Sequence, residues 1–473
     1  MRAASVIGSG PNGLAAAIEL AQSGFSVDVY EAEEQIGGAS RTLPLTLPGF
    51  RHDFGSAVHP MGAGSPFFRS LPLDRHGLQW IHGLAPLAHP LDDGTAVTLE
   101  RDLGDAVRVL GEDGRSWRRM MEPLAARWEI FAEEILGPVP HIPRHPLLLA
   151  RFGVHAVLPA TVLCKLFLRS DRTRALFAGL AAHSFLSLDA PLSSAIGIVL
   201  GAAAHTVGWP VPRGGAQAIP DALAGHLRGL GGRIHSSRRI SSLADLKTYG
   251  GEVESLTLCD VSPRQLLSIA GGQLSAAYRN KLARFKPGPG AFKIDYALAE
   301  PIPWTASDCR RAITVHVGGS LEEIARSEDA MAHGRISERP FMILAQPSLF
   351  DSTRAPEGKH TAWVYCHVPN GCTADVTEII ERQIERFAPG FRECVLARHV
   401  STPAMLEAGD ANLIGGDISG GAMSIGQTLF RPSRRQYATS NPQLYLCSAS
   451  TPPGGGVHGM CGYHAARLAK GRS

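Results

Sequence analysis

The chain has no CxxC pair, no second glycine-rich nucleotide turn in context, few aromatic residues and almost no net charge. Each shortage narrows the function. Cys164, Cys259, Cys309, Cys366, Cys372, Cys394, Cys447 and Cys461 are scattered, which excludes a vicinal redox disulfide and a tidy zinc site, so no metal is expected. Isolated reduced thiols suit a reducing cytoplasm. A net charge of +3, from 46 basic and 43 acidic residues, is too small to argue for nucleic acid. No apolar run is long and clean enough to span a bilayer. The nearest, His145 to Leu168, is interrupted by Arg151, His155, Pro159 and Lys165. The first apolar strand opens almost at Met1, so no signal or transit peptide is expected. With 44% hydrophobic and 19% charged residues over 473 positions, what is left is a soluble globular chain of two structural regions.

The stretch that organises the chain is Ser5 to Arg41. Ser5-Val6-Ile7 is a short apolar run. It turns through Gly8-Ser9-Gly10-Pro11-Asn12-Gly13 into Leu14 to Ala21, and Gly24 stops that helix. Phe25 to Tyr30 then alternates as a second strand that ends on Glu31, with Ala32 after it. Strand, glycine turn, helix, strand and acid make a dinucleotide-binding βαβ unit. Gly8 permits the tight turn, Gly10 lets backbone approach a pyrophosphate, and Gly13 lets the helix lie close to the strand. The helix N-terminus offers N–H groups and a positive dipole end to phosphate. Glu31 can accept both ribose hydroxyls and would repel a 2′-phosphate, so the nucleotide is FAD or NAD rather than NADP.

Gly37-Gly38-Ala39-Ser40-Arg41 follows after a short loop. Two glycines suit a second backbone approach to the pyrophosphate, with Arg41 as a charged clamp. This extension resembles FAD-dependent oxidoreductases of the amine oxidase and phytoene dehydrogenase type, which implies non-covalent FAD. The C-terminal run supports the resemblance: strand Gln443 to Ala449, the turn Ser450 to Gly459, and a helix from Met460 to Ala469. In such proteins that helix faces the flavin ring, so Gly455, Gly456 and Val457 are implied contacts. Gln346 to Asp351, Arg354 to His360 and Tyr365 to Pro369 are similar to the branch of pyridine nucleotide-disulphide oxidoreductase domain proteins, although no disulfide pair is present.

The resemblance covers the whole chain and implies an α/β fold. A Rossmann-like FAD-binding domain of glutathione reductase/amine oxidase type is expected over 1–75, 205–262 and 400–473. An interleaved α+β substrate domain is expected over 76–204 and 263–399. Phe50 to His59 has strand-like chemistry and is implied to pass the flavin ring, making Gly55, Ser56 and Ala57 candidate contacts. His59 is the first titratable group there, either catalytic or satisfied by a backbone carbonyl. Helical spacing runs from Asp102 to Leu136 and resumes over Leu147 to Ala204 with a break near Pro159. A strand over Arg233 to Ile240 is expected, Ile240 being the implied adenine partner, and another over Glu254 to Asp260. Ala291 to Leu298 reads as a strand of the substrate sheet, and Asp375 to Phe387 as a helix.

Lys293 is the candidate for chemistry. In amine oxidase relatives a lysine after a similar strand start holds a water against flavin N5. Alternation puts Ala291, Lys293 and Asp295 on one face, which equally fits a solvent-exposed ion pair. Gly214-Gly215 and Gly415-Gly416 lack the context of a second nucleotide motif, so electrons are expected to leave to oxygen, a quinone or a protein. The resemblance, with the apolar helical insertion, implies a dehydrogenase or desaturase that removes hydride from an apolar, isoprenoid-like or long-chain organic substrate at flavin N5. An amine oxidase is the alternative, ranked lower because aromatics are only 7% and the C-terminal turn offers Val457 and His458 rather than tyrosine. A flavoprotein whose FAD is structural and which binds a partner is the third. For His145 to Leu168, a peripheral membrane contact and a buried helix pair stand as equal expectations.

Overall fold

Short strands from the start, middle and end of the chain assemble one parallel sheet. The computed structural model describes residues 2–249 and 256–472. The sheet runs Leu444–Leu446, Leu256–Cys259, Ala3–Ile7, Ser26–Tyr30, Arg233–His235, each pair parallel. A parallel sheet needs helices on both faces, and the sequence supplies them. Helix Pro11–Gln22 has proline in its first turn and is almost wholly buried. The C-terminal helix Met460–Lys470 lies against it so closely that a Cβ at Gly462 would sit 1.8 Å from the Asn12 carbonyl oxygen.

One expected strand is shorter than its apolar pattern: that over 233–240 ends at His235. Ser237 adopts a φ of 54°, and Ser237 and Arg238 donate backbone N–H groups to Glu33 and Glu31 carbonyls; this loop carries Arg238 to Ile240. The strand expected over 254–260 is Leu256–Cys259, Glu254 and Ser255 lying outside the described residues. From Phe50 to His59 only His52–Asp53 is strand, paired with Thr42–Leu43. Helices Pro263–Ala270 and Ala276–Ala283 pack Leu266, Ile269, Tyr278 and Leu282 against Ile7, Tyr30 and Leu444. The chain that covers the parallel sheet therefore runs beyond 262.

The second sheet has the order Val395–Ser401, Gly290–Leu298, His360–Val368, Met342–Ala345, Ala312–Val317, Ala85–Pro90, Ala96–Leu99. Its neighbours are antiparallel except Ala312–Val317 with Ala85–Pro90. One face carries Phe292, Ile294, Tyr296 and Val364 into a core with Ile380, Ile384 and Phe391, under helix Thr377–Glu385. Between Leu103 and Ala204 the chain is mostly helical, as its periodicity predicts, with non-helical stretches over 136–145 and 183–192 and a break at Pro159 between Pro146–Ala156 and Ala160–Phe167. No single helix among the described residues is long and apolar enough to cross a membrane.

Candidate functional site

A cavity of about 410 Å³ is walled by residues of both sheets. Gly8, Gly10, Asn12, Glu31, Arg41 and Ile240 come to it from the parallel sheet and its loops; Ala291, Lys293, Trp363 and Tyr365 come from the second sheet. Consecutive strands of a parallel sheet end on the same side, so their connecting loops collect at one edge. The glycine turn and Glu31 meet there for that reason.

The glycines have distinct reasons. Gly8 has a φ of +98°, and a Cβ would lie 2.8 Å from the Asp260 carbonyl oxygen. A Cβ at Gly13 would lie 2.1 Å from the Gly8 carbonyl, the close helix–strand approach read from its position. A Cβ at Gly38 would sit 3.5 Å from the Gly10 Cα, so two glycine loops converge on one spot of the cavity wall. Helix Pro11–Gln22 has no side-chain cap of its own and no acid in its first turn. Instead Gly13 N–H donates to Asp260 Oδ2 at 2.8 Å, a cap lent by the neighbouring strand. Burial pushes Asp260 up to about 7, with Asp410 and Glu31 adding to the rise against the Gly13 hydrogen bond.

Glu31 is buried and already organised. Its Oε2 accepts from Ser9 N–H at 3.0 Å and from Ser9 Oγ, and its Oε1 accepts from Glu33 N–H at 3.0 Å. Arg41 donates to the carbonyls of Gly38 and Gly409 and lies 4.8 Å over the Phe54 ring. A helix N-terminus whose side-chain cap comes from Asp260, paired glycine loops, a fixed guanidinium and a carboxylate beyond them fit a dinucleotide. Asn12 Oδ1 and His59 Nε2, on two residues of the same wall, are buried and have no hydrogen-bond partner.

At the second sheet, alternation puts Ala291, Lys293 and Asp295 on the face opposite the Phe292 core. Lys293 pairs across to Tyr365, and Asp295 to Trp363. The ion pair of Lys293 and Asp295 is present but not exposed: the side chains are 3% and 0% accessible. The strand is buried on both faces, which overturns the surface reading. Lys293 Nζ is 5.9 Å from the Trp363 ring centroid. Burial pulls Lys293 down and pushes Asp295 up to about 6, each partly offset by the partner's charge. Asp295 Oδ1 has no hydrogen-bond partner and lies 3.7 Å from His52 Nδ1; His52 Nε2 meets Thr46 Oγ1 at 2.7 Å. Burial, then the positive charges of Lys293 and Arg354, push His52 down to about 3.

Of the other residues predicted from the sequence, Pro11, Ala32, Ala39, Ser40, Gly55, Ser56, Gly456 and Val457 also line the cavity. Gly13, Ala57 and Gly455 do not. Gly13 faces the strand, Ala57 is in the core, and a Cβ at Gly455 would meet the Ser419 carbonyl at 2.7 Å. His59 lines the cavity while its ring is held by the Ser56 carbonyl; burial pushes it down to about 4. His458 turns away and accepts from Met460 N–H at 3.0 Å.

Asp260, Trp363 and Tyr365 were missed. Trp363 and Tyr365 stand two apart on an apolar stretch, the one signal that they share a face; their rings are 5.1 Å apart and edge-on. Two residues of the branch-like segments prove to be struts. Arg354 donates to Asp53 Oδ2 at 2.7 Å with both side chains buried, and Asp351 Oδ2 accepts from Gly214 N–H at 2.7 Å. Burial would raise Asp53, but Arg354 and hydrogen bonds from Ala216 and Thr42 outweigh it and hold the carboxyl low.

A family model described as an NAD(P)-binding Rossmann-like domain matches residues 6–71. Pyridine nucleotide-disulfide oxidoreductase domain-containing protein 2 of Mus musculus is 27% identical over 98% of this chain and 92% of that protein. A phytoene desaturase (neurosporene-forming) of Rhodobacter capsulatus is also 27% identical, over the same shares. Among solved structures, an oxidoreductase from Methanosarcina mazei superposes with a TM-score of 0.65 at 17% identity, covering 98% of this chain and 100% of its own. Wild-type putrescine oxidase bound to putrescine does so with a TM-score of 0.58 at 16% identity, covering 99% and 98%.

Proposed function

We propose that this chain, whose fold is that of the FAD amine oxidase superfamily, is a flavin-dependent oxidoreductase acting on an apolar organic substrate. The observation that carries the reading is the convergence, in one cavity, of the glycine loops with Glu31 and Arg41 and of Lys293 with Trp363 and Tyr365. The first set would hold FAD: the helix N-terminus and Arg41 its pyrophosphate, Glu31 its ribose, the Ile240 backbone its adenine, Gly456 and Val457 its ring. When bound, FAD supplies the two-electron acceptor, and the protein supplies binding and orientation.

The chain's own residues then have defined tasks. Met61, Trp363, Tyr365, Leu406, Ile418 and Val457 present apolar surface to the cavity, which holds an apolar molecule and excludes water. Lys293 places a cation in a water-poor site, where it stabilises developing negative charge and orders a water. Asp295 keeps that cation in position, and their shared burial lets a proton pass between Nζ and the carboxylate. No acid–base triad is needed, because hydride removal can proceed through positioning. The second sheet is mostly antiparallel and offers no second dinucleotide edge, which supports oxygen, a quinone or a protein as the acceptor.

Trp363 and Tyr365 also favour a second reading, an amine oxidase, because an aromatic pair beside the lysine suits an amine's carbon skeleton. The test of both is purification of the intact protein, its visible absorption, and anaerobic bleaching with two panels: long-chain or isoprenoid hydrocarbons, and primary or secondary amines. A yellow protein bleached by the first panel is expected. A protein that neither copurifies with FAD nor takes it up overturns the proposal, and bleaching by amines alone decides for the second reading.

A further inference from the structure

We propose that the helix pair Pro146–Ala156 and Ala160–Phe167, with the loop before it, docks on an anionic phospholipid bilayer. The inference does not rest on the flavin reading. Five of the six most exposed large apolar side chains among the described residues fall here: Ile142, Leu147, Val154, Val157 and Leu166, the sixth being Leu84. Ile142 is 92% accessible, Leu147 81% and Leu166 67%. These helices do have buried faces, since Leu148, Ala156, Leu163 and Cys164 pack inward. The outward apolar residues are a second stripe that none of the described residues covers.

The geometry is held rather than loose. Ser193 Oγ accepts from Ala160 N–H at 2.9 Å, and Ser194 Oγ donates to the Leu158 carbonyl at 2.8 Å. The His155 and Phe167 rings meet edge-on at 5.0 Å across the elbow. Glu134 accepts from His145 N–H at 2.8 Å and meets His141 Nε2 at 2.6 Å, pinning the ends of the loop that presents Ile142.

Charge selects the occupant. Residues 141–170 contain no aspartate or glutamate but include Arg144, Arg151, Lys165 and Arg169, all exposed, in a chain whose charges otherwise nearly balance. On each helix the cations stand within one turn of the exposed apolar residues: Leu147, Arg151 and Val154 on the first, Val162, Lys165 and Leu166 on the second. Such side chains reach lipid phosphates while their neighbours enter the acyl boundary. A second copy would bring an equally cationic face and be repelled. The helices are 11 and 8 residues long and bent by 96°, so they lie in the interface and do not cross it, a span needing about 20 residues.

The test is flotation of the full chain with phosphatidylcholine vesicles, with and without phosphatidylserine, at moderate salt. Co-flotation with the anionic vesicles is expected. L147S/L166S should abolish it, and R151Q/K165Q should weaken partitioning by roughly fivefold per cation, about 25-fold together. All four residues are exposed, and a retained melting temperature and absorption spectrum confirm that the variants fold. Wild-type protein left at the bottom with both vesicles overturns the proposal, as does undiminished flotation of L147S/L166S. Sedimentation velocity without lipid covers self-association: a wild-type dimer that L147S/L166S dissociates also overturns it.

Discussion

Lys293→Met keeps the length of the side chain and removes the charge that faces Asp295. Removing one partner of a buried pair costs about 3–5 kcal/mol if the survivor stays ionised. Asp295 can avoid part of that by taking a proton. With the lysine present, its carboxyl is already pushed to about 6 by burial, against about 3.9 in the unfolded chain. A carboxyl raised in the folded state holds its proton there longer than in the unfolded state. Its contribution to stability is therefore full at low pH and declines as pH rises from the unfolded value to the folded one, by about 1.4 kcal/mol per pH unit. In the wild type that decline ends near 6. Without Lys293 the carboxyl moves higher, and the decline continues between about pH 6 and about pH 8, where it removes up to ~3 kcal/mol. His52 acts oppositely, being pushed down to about 3, but its unfolded-state titration is common to both proteins and cancels in the comparison. Urea midpoints at the two pH values measure the effect, and Lys293→Met/Asp295→Asn should restore the wild-type slope. Equal pH dependence in wild type and Lys293→Met would refute the coupled buried pair.

The same Lys293→Met protein, reduced with light, should reoxidise its flavin more slowly in air while binding FAD unchanged; a wild-type rate places the lysine away from the reacting atoms. Glu31→Ala should weaken FAD binding by about 1–3 kcal/mol, the scale of lost hydrogen bonds to a charged group, as read by titration of apoprotein; unchanged affinity means the ribose is held elsewhere. Denaturation should release all the flavin into the filtrate, and colour retained by the polypeptide would show a covalent link. Arg354→Met should lower stability by about 3–5 kcal/mol at neutral pH, because Asp53 is left ionised and buried; a melting temperature within error of wild type would show that Asp53 finds another partner.

Local sequence determined the nucleotide unit almost completely. Gly13 meets Gly8 and Gly38 meets Gly10 within thirty residues, although Gly8 also closes on Asp260; the helix is set by composition, and Glu31 by the end of a strand. The helical insertion and the break at Pro159 were legible for the same reason, because periodicity and proline act over a few residues. Period-two alternation put Lys293, Asp295 and Ala291 on one face, yet alternation alone does not tell which face meets solvent. Only the tertiary structure decided that both faces of Gly290–Leu298 are covered, one by the Phe292 core and the other by the cavity. The strand toward Ile240 fell short because its last residues bond to the loop after Ser26–Tyr30, a partner the local pattern does not contain. Asp260 caps a helix that begins about 250 positions earlier, and Arg354 neutralises Asp53 across about 300. Such contacts leave no mark in either local segment, since each side chain is chosen by a neighbour that only folding brings near.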